Sequence, residues 1–264
     1  MMFILMFPLF AIFGLFQQSL PIASERAMAT PPVSVMGTVS ASEVLGVKEE
    51  LKVEEDGNTE RSLGSYDDEK KAGKELAHHL KTVAGHRTLE SHQVGQRFTA
   101  HLVNRIFPHW YGTEWTFNGH TAVPKKGSIA CGYFVSTTLR DMGLNLNRYH
   151  MAQKGPLDEA QMISSGSAIT TITAQTAQEA MDALDAYAEE GLYFIGFDKG
   201  HVGFLLKEKG QLSLIHSNYL WPVSVVSEPL EKAAILNKFS TYHLVPITHN
   251  PGLMQKWLAG TIVR

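Results

Sequence analysis

Residues 192–217, LYFIGFDKGHVGFLLKEKGQLSLIHS, decide the fold. Three apolar, β-rich runs at 192–197, 201–207 and 211–217 are separated by Asp198-Lys199-Gly200 and Glu208-Lys209-Gly210, both turn signals. Runs this short, each closed by a glycine-bearing turn, predict neighbouring strands of an antiparallel sheet. TYHLVPI at 241–247 reads as a fourth. With Lys209-Gly210 as a two-residue loop, position 203 faces 216 and position 201 faces 218. Side chains alternate with period two, so His201 and His216 then project from one face as diagonal neighbours, about 7–8 Å apart along the backbone.

The chain before the sheet is helical. From Asp67 onward Leu76, Leu80 and Val83 recur at helical spacing until Gly85 interrupts them. A second amphipathic run carries Val94, Phe98, His101/Leu102 and Ile106 and is expected to end before Pro108. The segment GSIACGYFVSTTLRDMG (127–143) predicts a helix from Cys131 to Met142, stopped by Gly143, with Phe134/Val135, Leu139 and Met142 as its buried stripe. A further helix is expected over Ala177–Glu190. Thr176 and Glu179 form its capping box, and Gly191 stands as its stop. Asn118-Gly119-His120 and the hydroxyl-rich stretch Ser164–Thr173 read as ordinary loops. Helices that precede a meander of strands imply an α+β class rather than alternating α/β.

Composition bounds the function. The chain has 264 residues, 44% of them hydrophobic and 19% charged, a globular balance. The 23 basic and 26 acidic residues leave a formal charge of −3, which argues against a nucleic-acid partner. Residues 1–16, MMFILMFPLFAIFGLF, carry no charge and are followed by small residues, the pattern of an export signal at 1–23. No Lys or Arg precedes Arg26, so an uncleaved anchor is the alternative, and the only membrane contact expected. Residues 24–65 read as a disordered spacer. The stretch from Glu43 to Glu75, which overlaps it, holds eleven acidic and six basic side chains. The folded domain is expected over 66–264. Histidines are plentiful, including His78, His79, His86, His92 and His101, but no metal-ligand spacing appears, so neither metal nor cofactor is expected.

One cysteine excludes an intramolecular disulfide. In an exported chain an unpaired thiol is unusual. Cys131 opens a helix, where the backbone dipole and unpaired N–H groups favour thiolate, so its pKa is expected to fall. The same N–H groups can donate to a developing oxyanion, and Gly132 leaves the backbone open to a substrate. A thiol nucleophile needs a base and an orienter for that base. The hairpin offers His201 and His216.

The order of a Cys-bearing helix, then G-H-V-G-F-L-L (200–206) opening a strand, then L-I-H-S (214–217) on the next, resembles the NlpC family of papain-like cysteine peptidases. The resemblance covers roughly residues 105–220. It implies a papain-like α+β fold, a nucleophile helix packed on an antiparallel sheet with the N-terminal helices added. It implies Cys131 as nucleophile, His201 as general base and acid, and His216 as the orienter of His201. Trp110-Tyr111-Gly112-Thr113 resembles the family's tyrosine-bearing loop, so Tyr111 would line the oxyanion region. The implied activity is exported hydrolysis of amide or peptide bonds in peptidoglycan stem peptides. Acyl transfer by the same triad, and a non-catalytic cell-wall binding module, are the alternatives. Where the family carries Asp-Cys-Ser-Gly, this chain has Ala130-Cys131-Gly132-Tyr133.

Overall fold

Six strands form one antiparallel sheet: β1 (Thr170–Thr173), β2 (Gly191–Phe197), β3 (His201–Glu208), β4 (Gln211–Ser217), β5 (Val225–Pro229) and β6 (Thr241–Pro246), in the spatial order β1-β6-β2-β3-β4-β5. The computed structural model describes residues 62–86 and 90–264. The expectations of an export segment at 1–23, and of a spacer as far as residue 61, lie outside the described residues. The protein is α+β, with helices packed on an open antiparallel sheet. Among the described residues no helix is long and apolar enough to cross a membrane.

The expected register at β3–β4 is present. Phe204 pairs with Ile215 and Glu208 with Gln211. Lys209 and Gly210, with φ of 53° and 75°, make the two-residue loop between them. Positive φ at both central residues is the turn whose twist matches that of a hairpin. Both faces of the central strands are covered, which explains their near-continuous apolar runs. Leu192, Phe194, Val202, Phe204, Ile215 and Val225 face one helical layer, and Tyr193, Ile195, Phe197, Leu205 and Leu214 the other.

The first layer holds α1 (Tyr66–His86), α2 (Ser91–His101), α3 (Phe107–Trp110) and α4 (Cys131–Asp141). It also holds α5 (Arg148–Ala152), α6 (Pro156–Ser164) and α8 (Pro251–Ala259). The second holds α7 (Ala177–Tyr187) and two short 3₁₀ turns, with Ala180, Leu184, Leu230 and Ile235 against the sheet. Gly143 ends α4 as expected, with φ of 105°.

Several boundaries differ from the sequence expectation. The second run does not stop before Pro108. A wide π turn at Leu102–Ile106 carries the chain on into α3, where the Phe107 N–H donates to the Leu102 carbonyl. Pro108 then falls in a first helical turn, where its missing N–H costs nothing. Helix α7 ends at Tyr187 when Ala188 turns extended (φ −76°, ψ 128°). Gly191 instead opens β2, because at its φ of 139° a Cβ would lie 2.8 Å from the Thr248 hydroxyl. Thr170–Thr173, read as loop, is edge strand β1 paired with β6. Helices and strands are therefore less segregated than expected: β1 precedes α7, and α8 follows the sheet.

Candidate active site

Three chain segments meet where β3 begins. The loop before α4 is tied down from three sides. The Ile129 N–H donates to the Glu114 carbonyl (2.8 Å), the Ala130 N–H to the Gly119 carbonyl (2.8 Å) and the Ser217 hydroxyl to the Ile129 carbonyl (2.6 Å). Gly119 is required for this close approach, since a Cβ there would lie 2.6 Å from the Ile129 nitrogen. Cys131 therefore opens α4 at a fixed place against the sheet. No side chain caps this end of the helix, so its first N–H groups are directed at the Cys131 sulfur and the space around it.

His201 and His216 are brought together. His201 Nε2 and His216 Nδ1 share a hydrogen bond of 2.8 Å, and both residues are fully buried. Gly203 makes room for this pair: a Cβ there would meet the His216 Cβ at 2.9 Å. On its other side His216 Nε2 lies 2.9 Å from Oε1 of Glu228 on β5. The result is a chain of three side chains, His201–His216–Glu228, across three adjacent strands. Phe197, Tyr219 and Phe239 enclose the His201 ring at centroid distances of 5.2, 5.6 and 6.4 Å. His201 Nδ1 is buried with no hydrogen-bond partner.

The Cys131 sulfur lies 4.0 Å from the carbonyl oxygen of Gly200, and the Val202 N–H also reaches it. The sulfur thus contacts the backbone on both sides of His201 without a hydrogen bond to the ring. Its acidity corrects the sequence expectation. Burial pushes the thiol up to about 11, and the charge of Glu159 adds to this. The N–H groups of Val202, Gly132 and Cys131 act against it and are outweighed. The helix amino terminus does stabilise a thiolate, but the apolar enclosure costs more.

Burial sets the remaining charges. His201 is held well below its ordinary value by desolvation and then by His216, and His216 is pushed down to about 3 by desolvation. Desolvation raises Glu228. At neutral pH His216 is uncharged, so its contact with Glu228 is a hydrogen bond and not an ion pair. Glu159, on α6, is buried beneath Gly132, where a Cβ would lie 3.0 Å from its Oε1. Its Oε2 has no partner, and burial holds it well above its ordinary value.

Tyr111 is half-buried and its hydroxyl is engaged by Ser227 of β5, next to Glu228. No hydrogen bond joins it to Cys131. Gly132 is buried against the Ala152 backbone, with 2.9 Å between a built Cβ and the Ala152 carbonyl oxygen. That close approach is to the protein's own chain, so Gly132 does not present open backbone on that side. Glu228, Tyr219 and Glu159 were not found by sequence reasoning. Glu228 had one available signal: once β4 is placed, the next extended run, Val225–Pro229, carries an acid with the parity of His216. Among the described residues no group of three His, Cys, Asp or Glu side chains is placed to hold a metal ion.

A neutral thiol, a neutral imidazole with one free nitrogen, and an orienting chain behind it can together accept and return one proton. Comparison with models of protein families, with curated proteins and with solved structures finds no match to this chain.

Proposed function

We propose that this protein is an exported, papain-like cysteine hydrolase that cleaves amide or peptide bonds in peptidoglycan stem peptides. The observation that carries the reading is His201, locked through Nε2 to His216 with Nδ1 left without a partner, while Cys131 touches the backbone of the residues on either side of it. The substrate class rests on the resemblance of G-H-V-G (200–203) and the Cys-bearing helix to the NlpC family.

In this reading the resting site holds a thiol and not a thiolate. When substrate binds, the sulfur leaves the Gly200 carbonyl and turns to His201 Nδ1. The S–H bond breaks, Nδ1 gains the proton, and the sulfur electron pair attacks the scissile carbonyl. The uncapped N–H groups at the start of α4 stabilise the oxyanion. His201 then protonates the leaving amine. Afterwards it takes a proton from water, whose oxygen attacks the acyl carbonyl; the C–S bond breaks, and His201 returns the proton to the departing sulfur. His216 holds the ring throughout.

Digestion of purified muropeptides, followed by mass spectrometry, tests the reading. Cleavage products are expected with wild type, and a loss of at least about a thousandfold with Cys131→Ala. Equal product from both proteins would remove Cys131 from the mechanism.

A further inference from the structure

The histidine pair ends on Glu228, a carboxylate with no part in the triad described above. We propose that Glu228 is a positioning residue that decides, through His216, which nitrogen of His201 is the base; the proposal rests on the hydrolase reading of this site.

The argument is one of proton order. Two hydrogen bonds link the chain, 2.8 Å between His201 Nε2 and His216 Nδ1 and 2.9 Å between His216 Nε2 and Glu228 Oε1. A neutral imidazole has one N–H and one lone pair. The chain can therefore be ordered in two ways. In the first, Glu228 accepts from His216 Nε2–H, the His216 Nδ1 lone pair accepts from His201 Nε2–H, and His201 Nδ1 keeps a free lone pair. In the second, His216 Nδ1–H donates to His201 Nε2. His201 then carries its hydrogen on Nδ1, and His216 Nε2 requires a donor from position 228.

A carboxylate can only accept, so an ionised Glu228 selects the first order. That order places the lone pair on the one ring nitrogen that has no partner in the structure. No other group around the His201 ring makes the choice. Phe197, Tyr219 and Phe239 enclose His201 with no hydrogen bond to its ring, and the Cys131 sulfur turns to the Gly200 carbonyl. Both histidines are fully buried, whereas the Glu228 side chain keeps 19% exposure, so the charge has a place in the chain where water still reaches it. When Nδ1 takes the thiol proton, the resulting imidazolium points its Nε2–H along the same chain toward that charge.

The test uses the full chain, labelled with ¹⁵N-histidine, without substrate and near neutral pH. Long-range ¹H–¹⁵N spectra report which nitrogen of each ring is protonated, and the His201 signals are identified by their loss in His201→Asn. Wild type is expected to show His201 protonated at Nε2 alone. Glu228→Gln, whose amide both donates and accepts, is expected to show a mixture with Nδ1–H and a roughly tenfold slower reaction of Cys131 with iodoacetamide. Glu228→Asp, which restores the charge, is expected to move both readouts back toward wild type. A wild-type His201 carrying its hydrogen on Nδ1, or an unchanged tautomer in Glu228→Gln, would overturn the proposal. Should the Gln variant not fold, the wild-type tautomer alone decides. Because no substrate is used, muropeptide digestion that persists in Cys131→Ala would end the hydrolase reading and leave the tautomer result standing.

Discussion

Gly203 shows how closely single residues set this site. It faces His216 across the β3–β4 ladder, where an added Cβ would lie 2.9 Å from the His216 Cβ and 3.0 Å from the Ile215 carbonyl oxygen. Neither neighbour can yield easily, since one is backbone of β4 and the other is bonded directly to it. Gly203→Ala is expected to push His216 away from His201 at a cost of about 1–3 kcal/mol in unfolding free energy, read from urea titration. Muropeptide turnover should fall at least about tenfold with the lost hydrogen bond. Full turnover in this variant would show that the imidazole pair need not stay in contact. At this scale the sequence is informative where a residue is punctuated. Cys131 opens a helix, and His201 and His216 fall at equivalent faces of two strands joined by a glycine turn. Glu228 carries a weaker signal, because it sits in a short edge strand ending in Pro229 and its parity with His216 emerges only once β4 is placed. The acidity of Cys131 was misread for a different reason: the dipole is visible in local sequence, but the enclosure that outweighs it comes from distant segments.

Among the elements, the central strands and the starts of α1, α4 and α7 were legible from periodicity and capping. The sheet edges were not. Strand β1 has four residues, TTIT, with one apolar side chain, and β5 ends in a proline that only an edge or a strand end tolerates. Strand β1 takes its structure from β6, far away in sequence, and β5 takes its structure from β4 across the irregular segment 218–224. Helix α8 is similar, because its start depends on one buried side chain. Asn250 accepts from the Leu253 N–H (2.9 Å) and donates through Nδ2 to the carbonyls of Ile163 (3.2 Å), Ser164 (3.0 Å) and Pro246 (3.2 Å). One amide thus joins the end of α6, the end of β6 and the start of α8. Asn250→Ala removes the cap and the contacts to three carbonyls, of which that of Ser164 keeps the Ser167 N–H, so a loss of about 1–3 kcal/mol is expected in urea unfolding. The tautomers of His201 and His216 should stay unchanged, since Asn250 makes no contact with them. A loss under about 0.5 kcal/mol would mean that water replaces the amide at this junction.

Across the whole molecule, the site is built on a buried, neutral histidine pair, and that burial makes stability depend on pH. His216 is held near 3, against about 6.5 in the unfolded chain, and His201 is displaced in the same direction. The folded state therefore binds fewer protons than the unfolded state between these values. The stability contribution of each imidazole is complete above about pH 6.5 and declines as pH falls toward the folded value. Glu159 and Glu228 are raised and act oppositely: their contribution is complete below their ordinary value and is lost as pH rises. A wild-type curve alone mixes the two senses, but a variant separates them. His216→Gln keeps an acceptor toward His201 and a donor toward Glu228 while removing one titrating ring. Near pH 7.5 it is expected to be less stable than wild type by about 1–3 kcal/mol, through imperfect hydrogen bonds in a buried site. The His201 penalty is common to both proteins, but below about pH 6.5 wild type alone carries that of His216, which grows by about 1.4 kcal/mol for each pH unit. By about pH 4.5 the deficit should be cancelled or reversed. Urea unfolding of both proteins at half-unit pH steps measures this directly. A gap that stays constant from pH 7.5 to 4.5 would show that His216 keeps its ordinary basicity inside the fold, and the neutral relay behind Cys131 would have to be abandoned.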